Sequence, residues 1–304
     1  MRKSLFAVAI AALIAGACAK ATPAASPSSV APGTTAAQCA QNVTLLNSGT
    51  LTIGTGNPSY SPFFEGGTTS GSEWKFNDPN NGKGFEGAVA YEVAKRLGFT
   101  PDQVTWVPVK FDQSYAPGPL PFDFNIQQVA YKPVRAKAVD FSTGYYISNQ
   151  ALVAVKGTPI TQAKTIADLK PYKLGVPIGT TSYDFVKEVI QPDGGPAPYQ
   201  TEDDAVAAIN GGQVDGLIVD LPTALYMADP YVQQVHNSVV VGQFENPPTG
   251  TPPYWGMTFT KGSPLTACVD LALAEMKKDG TLEAITQKWL SEKTNVGAVP
   301  VIGP

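Results

Sequence analysis

Short apolar stretches and amphipathic helical stretches alternate between residues 50 and 290, and this alternation restricts the chain to an α/β fold. Residues 50–55 predict a strand, since β-branched and polar side chains alternate there. Residues 84–97 predict a helix, because apolar side chains recur every four positions and Gly98 follows. The same criteria predict strands at 103–109, 123–131, 151–155, 173–177, 216–219, 239–242 and 254–260. Helices are predicted at 181–190, 201–210, 221–228, 264–280 and around Leu282, Ile285 and Trp289.

The first 18 residues predict a secretory signal. A basic start is followed by an apolar run at 5–17, which is shorter than the roughly 20 residues of a membrane-spanning helix. Ala15-Gly16-Ala17 then leads into Cys18, and this resembles the lipobox of bacterial lipoproteins, in which the cysteine is lipidated. Cleavage near Ala17 without lipidation is the alternative. Residues 19–38 are rich in Ala, Pro, Ser and Thr, and they predict a disordered tether because they can bury little apolar surface.

Cysteine content gives a second expectation. The chain has three cysteines. If Cys18 carries lipid, Cys39 and Cys268 remain as a pair in an oxidising compartment. Cys39 precedes the first strand and Cys268 lies on the apolar side of a late helix, so a disulfide would join the start of the fold to its end. Two separate buried thiols are the alternative.

Composition and motifs exclude several functions. Charged residues are 15% of the chain, the net charge is −4 and there is no basic run, which argues against nucleic acid as a partner. The only histidine, His236, lies in a polar stretch. Motifs for metal ligation, nucleophilic catalysis and phosphate binding do not occur, so no metal, cofactor or catalytic residue is predicted.

One segment carries a family resemblance. Residues 84–98 (GFEGAVAYEVAKRLG) resemble the signature of solute-binding protein family 3, the amino-acid receptors of ABC importers, with Ala88 where the family usually has an acid. Further segments agree in the same order, at 51–63, 135–146, 175–181, 212–221 and 279–290. The resemblance covers nearly all of 45–292.

The resemblance implies a two-lobed α/β fold of the periplasmic-binding-protein type II class, with the ligand in the cleft between the lobes. The first lobe would comprise 39–151 plus 250–304, and the second 152–249. The protein would be a monomeric extracytoplasmic receptor, not an enzyme. It would be held at the outer face of the cell membrane by its lipid, and it would deliver a free amino acid to an ABC permease.

The resemblance also implies a ligand set. Arg135 would bind the ligand carboxylate as a two-pronged donor, unless it is a surface arginine. Thr180 and Thr181 open a helix whose N–H groups would assist, unless they only cap it. Asp220 ends a strand and would accept the ligand ammonium, with an N-cap role as the alternative.

Other residues would surround the ligand side chain. Tyr60 and Phe63 would form an aromatic wall, and Trp74 would either cover the cleft or pack on its own lobe. Asn57 lies near the position where receptors for cationic amino acids carry an aspartate, so a neutral polar ligand such as glutamine is favoured, with an acidic one second. Gln127 or Gln128 would supply bonds where Ala130 replaces the hydroxyl that the family usually has, unless both face the packing of the lobe.

Two alternatives remain open. One is a dehydratase-like enzyme on the same scaffold, which would need an acid or base from Glu65, Glu73 or Asp78. The other is a sensory ligand-binding module, which is normally fused to a membrane helix.

Overall fold

The structure is a computed structural model that describes residues 31, 33–245, 254–291 and 299–304. The strands are β1 (Leu51–Thr55), β2 (Val104–Pro108), β3 (Phe124–Asn125), β4 (Val139–Phe141), β5 (Tyr146–Ile147), β6 (Gln150–Val155), β7 (Leu174–Pro177), β8 (Ala197–Tyr199), β9 (Gly216–Asp220), β10 (Ser238–Phe244), β11 (Tyr254–Trp255) and β12 (Thr258–Thr260). The α-helices are α1 (Ala36–Ala40), α2 (Phe85–Arg96), α3 (Thr181–Phe185), α4 (Glu202–Asn210), α5 (Leu221–Met227), α6 (Leu265–Lys278) and α7 (Thr281–Thr286).

The strands form two five-stranded sheets, and each sheet is the centre of a lobe. The first lobe has the order β2-β1-β3-β12-β4, and the second has the order β10-β6-β9-β7-β8. The chain crosses from the first lobe to the second through β5 and returns through β11, and these two strands pair with each other. The predicted two-lobed α/β architecture is confirmed.

The second sheet is buried on both faces. Along β6, Ala151 and Val153 pack into one apolar cluster, whereas Leu152 and Ala154 pack into another on the opposite face. This explains why its strands appear in the sequence as nearly continuous apolar runs without polar alternation.

The first lobe is organised around α2. Gly84 precedes this helix with φ 91°, and a Cβ there would lie 2.4 Å from the Phe63 carbonyl oxygen, so only glycine fits. The first N–H groups of α2, from Phe85 and Glu86, donate to the carbonyls of Pro62 and Phe63. The buried face of α2 packs in a core rich in aromatic side chains.

The predicted disulfide is present. Cys39 and Cys268 are joined, with Cα atoms 5.3 Å apart and a sequence separation of 229 residues. The bond fixes α1 to α6, and Ala36 at the start of α1 donates its N–H to Glu275 on α6 at 3.2 Å.

Three boundaries differ from the prediction. Residues 36–38 belong to α1 and not to a tether, because Thr35 makes a capping box with Gln38 and Ala36 is buried. β6 lies wholly in the second sheet, so the crossing comes before residue 150. Residues 299–304 pack on the second lobe and not on the first, since Gly303 exchanges backbone hydrogen bonds with residues 164–166. The predicted boundary at 250, the signal at 1–18 and most of the tether lie outside the described residues.

Two predicted strands are also shorter than expected. The strand predicted at 123–131 is reduced to β3, because the chain turns away and Gln128 adopts a left-handed conformation with φ 52°. The strand predicted at 254–260 is divided into β11 and β12. Within the described residues, no helix combines the length and hydropathy needed to cross a bilayer.

Candidate functional site

The carboxyl ends of the parallel strands in the two lobes face each other across a cleft. β7, β8 and β9 are parallel, so Thr180, Glu202 and Asp220, which follow or end them, share one edge of the second sheet. β1, β2 and β3 are also parallel, so Tyr60 and Gln127 follow the matching edge of the first sheet. Ligands of open α/β sheets bind at such edges.

Direct contacts cross the cleft. The Tyr60 hydroxyl donates to the Asp203 carboxylate at 2.5 Å. From another part of the first lobe, Arg135 Nη2 donates to the Gly179 carbonyl at 2.9 Å. The lobes are therefore closed on one another.

Lys132 also connects the two lobes. Its Nζ lies 2.5 Å from Asp184 Oδ2, and it also donates to the carbonyls of Thr180 and Gly179 at 2.9 and 3.3 Å. Burial lowers the pKa of Lys132, and the hydrogen bond with Asp184 opposes this change.

Arg135 is held rigidly beneath the cleft. The residue is 5% exposed, and Nη1 donates to the Ala130 carbonyl at 2.6 Å. Its guanidinium lies over the rings of Tyr115 and Phe111, at 4.2 and 5.3 Å from their centroids. No described carboxylate forms a salt bridge with it, so this buried cation is free to bind an anion.

The Thr180 hydroxyl has a structural role. It accepts from the Tyr183 N–H at 3.1 Å as the N-cap of α3 and donates to the Pro177 carbonyl at 2.7 Å. Its hydroxyl hydrogen is therefore already used, and the assistance of the α3 N–H groups stays a prediction. Thr181 is the first residue of α3, at the positive end of that helix.

Asp220 does not cap the helix that follows it. Its side chain makes no capping hydrogen bond to α5, although its backbone occupies the N-cap position. Gln150 Nε2 donates to Asp220 Oδ1 at 2.7 Å, and Trp255 and Ser148 also hydrogen-bond this carboxyl. Burial raises the pKa of Asp220 to about 6, against the effect of these hydrogen bonds.

Glu202 is a residue of the cleft that the sequence analysis missed. It is the first residue of α4, directly after the cap Thr201. Burial, followed by the charges of Asp203 and Asp220, raises the pKa of Glu202 to about 7. The only sequence signal is an acidic residue at the start of a helix that follows a strand, which is common for purely structural reasons.

Two of the predicted polar residues, Asn57 and Gln128, make their side-chain hydrogen bonds within the first lobe. Asn57 donates to the Glu73 carbonyl at 2.7 Å and accepts from the Lys75 N–H at 3.0 Å, so its side chain organises its own loop. Gln128 uses both its backbone and its side chain to hydrogen-bond Glu86.

Gln127 behaves differently from its neighbour Gln128. The residue is 6% exposed, and a Cβ on Gly56 would lie 3.1 Å from its Oε1, which places its amide beside the end of β1. Its Nε2 has no hydrogen-bond partner within the described part of the chain. Gln127 therefore remains a candidate donor for a ligand.

The three predicted aromatic residues have different locations. Tyr60 faces the cleft, stacked on Phe76 and 6.2 Å from the ring of Tyr226 on the second lobe. Phe63 and Trp74 are 4% and 5% exposed and belong to the core of the first lobe. They fill this core and do not cover the cleft.

Two of the acids considered for an enzyme lie outside the cleft contacts described above. Asp78 caps a short helical turn by accepting from the Asn80 N–H at 3.0 Å, and Glu73 is exposed. Over the described ranges, no group of three or more His, Cys, Asp or Glu side chains is placed to hold a metal ion.

A separate groove of about 640 Å³ lies between the two lobes near the end of α5. Ser61, Pro62 and Glu65 line it from the first lobe, and Tyr226 and Tyr231 are among the residues that line it from the second. None of the predicted ligand residues lines this groove, but Tyr226, whose ring lies 6.2 Å from that of Tyr60, borders both the groove and the candidate site.

The chain matches the model of the bacterial extracellular solute-binding proteins, family 3, over residues 67–292. The chain belongs to this family. The L-cystine-binding protein TcyJ of Escherichia coli K12 is 32% identical to this solute-binding protein over 252 residues, which are 79% of this chain and 82% of TcyJ. The glutamine-binding protein GlnH of the Bacillus subtilis ABC transporter is 30% identical over 159 residues, covering 52% and 54% of the two chains.

Solved structures agree with these sequence matches. An ancestral arginine-binding protein bound to glutamine has a TM-score of 0.60 and 31% identity to this solute-binding protein, covering 79% of this chain and 97% of that one. The solute receptor for L-cysteine of Neisseria gonorrhoeae has a TM-score of 0.62 and 25% identity, covering 85% and 94%. This solute-binding protein therefore has the two-lobed type II fold of amino-acid-binding proteins.

Proposed function

We propose that the protein binds one free amino acid between its lobes and presents it to the permease of an ABC importer. The observation that carries this proposal is the pair Arg135 and Asp220. Arg135 is a buried cation without a carboxylate partner on the first lobe, and Asp220 is a carboxylate that caps nothing on the second. An α-carboxylate and an α-ammonium match these two groups.

The binding groups come from both lobes, so no open form can satisfy the whole ligand. A ligand then favours closure by the difference between its affinities for the closed and the open form. β5 and β11 form the two-stranded connection about which the lobes would move. The closed form would be the one that the permease recognises.

The preference for a neutral polar side chain stays a prediction, with weaker support than the sequence gave it. It depended on Asn57 and on Gln127-Gln128, but Asn57 and Gln128 make their hydrogen bonds within the first lobe. The relatives named above are proteins for cystine, glutamine, cysteine or arginine, so the family comparison alone does not choose a side chain.

The proposed location follows from the family and from the amino terminus. The family is one of extracellular proteins. Lipidation of Cys18 would hold the protein at the outer face of the membrane, and this stays a prediction because Cys18 lies outside the described residues. Mass spectrometry of the amino-terminal peptide from membrane fractions would detect a diacylglyceryl group on Cys18.

A thermal-shift screen against all amino acids, including cystine, tests the proposal. A ligand at 100 times its dissociation constant should stabilise the protein by roughly 2.7 kcal/mol. Small-angle scattering of the ligand-free and the ligand-bound protein should show a radius of gyration that is no larger with ligand. Turnover of a prephenate-like substrate by the purified protein would instead favour the enzyme alternative.

A further inference from the structure

The second lobe presents hydrogen-bond acceptors to the cleft. Glu202 follows β8 and Asp220 ends β9, and these strands are both parallel to β7. Gln150 on β6 is paired in register with Asp220. The topology therefore brings two carboxylates and one amide to the same edge of the second sheet.

The side-chain oxygen of Gln150 is a buried acceptor for which the described residues supply no hydrogen-bond donor. The residue is 7% exposed, and its Nε2 is used by Asp220 Oδ1 at 2.7 Å. Its Oε1 is enclosed and accepts no hydrogen bond from any described residue. A buried acceptor of this kind normally has a partner, and the group beside it is a carboxylate, which cannot donate when ionised.

Glu202 also lacks a counter-charge. None of the hydrogen bonds or salt bridges among the described side chains involves its carboxylate. The charges that act on it are those of Asp203 and Asp220, and the neighbouring groups Tyr60 and Tyr226 are neutral hydroxyls. Asp203 differs, because it already accepts the Tyr60 hydroxyl.

A charge count across the cleft leaves two acids, Asp203 and Glu202, without an opposite charge. Lys132 is paired with Asp184. An amino-acid backbone would match its carboxylate with Arg135 and its ammonium with Asp220. Asp203 is exposed and accepts the Tyr60 hydroxyl, whereas Glu202 is half-buried and would remain without a partner among the described residues, which is costly for an ionised carboxylate.

We propose that Glu202 is a specificity-determining residue that receives a second positively charged group, at the end of the ligand side chain. This inference rests on the proposed function and replaces the neutral polar ligand that the sequence favoured. Asn57 is not an acid, but the required negative charge comes from the opposite lobe. The ligand class is then an amino acid whose side chain ends in an amine or a guanidinium.

Two matched pairs of ligands test the proposal by calorimetry. L-arginine and L-citrulline differ mainly in the charge of the terminal group, and L-cystine and S-methyl-L-cysteine differ in the presence of a second amino-acid end. In at least one of these pairs, the native protein should bind the ligand that carries the second cation (arginine or cystine) at least about tenfold more tightly than its partner. This ratio is equivalent to about 1.4 kcal/mol. In Glu202→Gln this ratio should fall to below about threefold, since the amide removes the charge and keeps the shape. Glu283→Gln, an exposed position on α7, is the control and should keep the native ratio.

The outcomes separate the two proposals. If citrulline or glutamine binds as tightly as arginine, and S-methyl-L-cysteine as tightly as cystine, the role of Glu202 is overturned and amino-acid binding stands. If Glu202→Gln keeps the native ratio, the role is also overturned. If no amino acid binds at all, the proposed function fails together with this inference.

Discussion

The first lobe presents cations to the cleft, whereas the second presents acceptors. Arg135 is fixed within its own lobe by the Ala130 carbonyl and two aromatic rings, whereas Lys132 is held by groups of the second lobe when the cleft is closed. Asp220 and Glu202 lie on the other lobe with raised pKa values and with fewer donors than they can accept. This difference is what the proposed function requires, in which each lobe binds one end of a dipolar ligand and neither lobe completes the site alone.

The lobes also differ in how they are stabilised. The first contains the disulfide, whereas the second contains no cysteine and depends on apolar packing against both faces of its sheet. Replacing Cys39 and Cys268 together by serine should reduce the free energy of unfolding by about 2–5 kcal/mol. Hydrogen exchange by mass spectrometry should show the loss of protection in α1 and α6. An equal loss in β6 and β9 would contradict the division into separately stabilised lobes.

Arg135→Ala should remove the positive charge that we propose binds the ligand carboxylate. The guanidinium is buried and charge-assisted hydrogen bonds are strong, so the loss in binding free energy should be about 2–3 kcal/mol, or roughly 30- to 160-fold in affinity. Arg135→Lys should recover only part of this, because the planar fork is lost. Lys137→Ala, at an exposed neighbouring position, serves as the control in the same calorimetric titration. Near-native affinity in Arg135→Ala would remove Arg135 from the site.

The buried carboxyls of the two lobes should respond differently to ligand. In Glu86, burial raises the pKa to about 7 against the hydrogen bonds from Tyr145 and Gln128, and in Glu202 the pKa is also about 7. The folded protein therefore binds more protons than the unfolded chain between about pH 4.5 and 7, so stability should fall as pH rises through this window.

Measurements of melting temperature against pH would separate the two contributions. The Glu86→Gln variant should lose about 3 kcal/mol of this pH dependence with or without ligand, because Glu86 lies inside the first lobe. A ligand cation should instead lower the pKa of Glu202, so affinity should increase from pH 5 to pH 8. The groups facing Glu202 are Asp203, Asp220, Tyr60 and Tyr226. Affinity that is independent of pH would argue against a charge-dependent contact there.

Lys132→Met should have the smallest effect. The ion pair with Asp184 is partly exposed, at 16% and 45% of the two side chains, so it should contribute only about 0.5–1 kcal/mol. Without it, the ligand-free protein should populate the open form more, and small-angle scattering should show a larger radius of gyration than in Lys137→Met. An unchanged radius would show that the contact does not influence closure.

The sequence predicts the parts of the fold that depend on local patterns or on chemistry. The helix predicted at 201–210 and the pairing of Cys39 with Cys268 are examples that the structure confirms. Asn57 could not be assigned in this way, because its partners lie 16 and 18 residues further along the chain and depend on how the loop folds back. Trp74 could equally cover a cleft or fill a core until the position of its loop is known.

Glu202 shows the same difficulty in the site itself. An acidic residue at the start of a helix is explained by the helix dipole, so its local sequence carries no sign of a ligand. Its significance comes from the neighbouring strand end that carries Asp220, and from the absence of a counter-charge among the described residues. Both are properties of the assembled sheet.

The two ends of the described fold lie on opposite lobes. α1 is fixed to the first lobe through Glu275, and Gly303 is hydrogen-bonded to the second through Lys164. Any movement of one lobe relative to the other must therefore change the distance between these ends. A fluorescent donor placed before Thr35 and an acceptor placed after Pro304 would turn the protein into an optical reporter of its own ligand, with no label near the cleft.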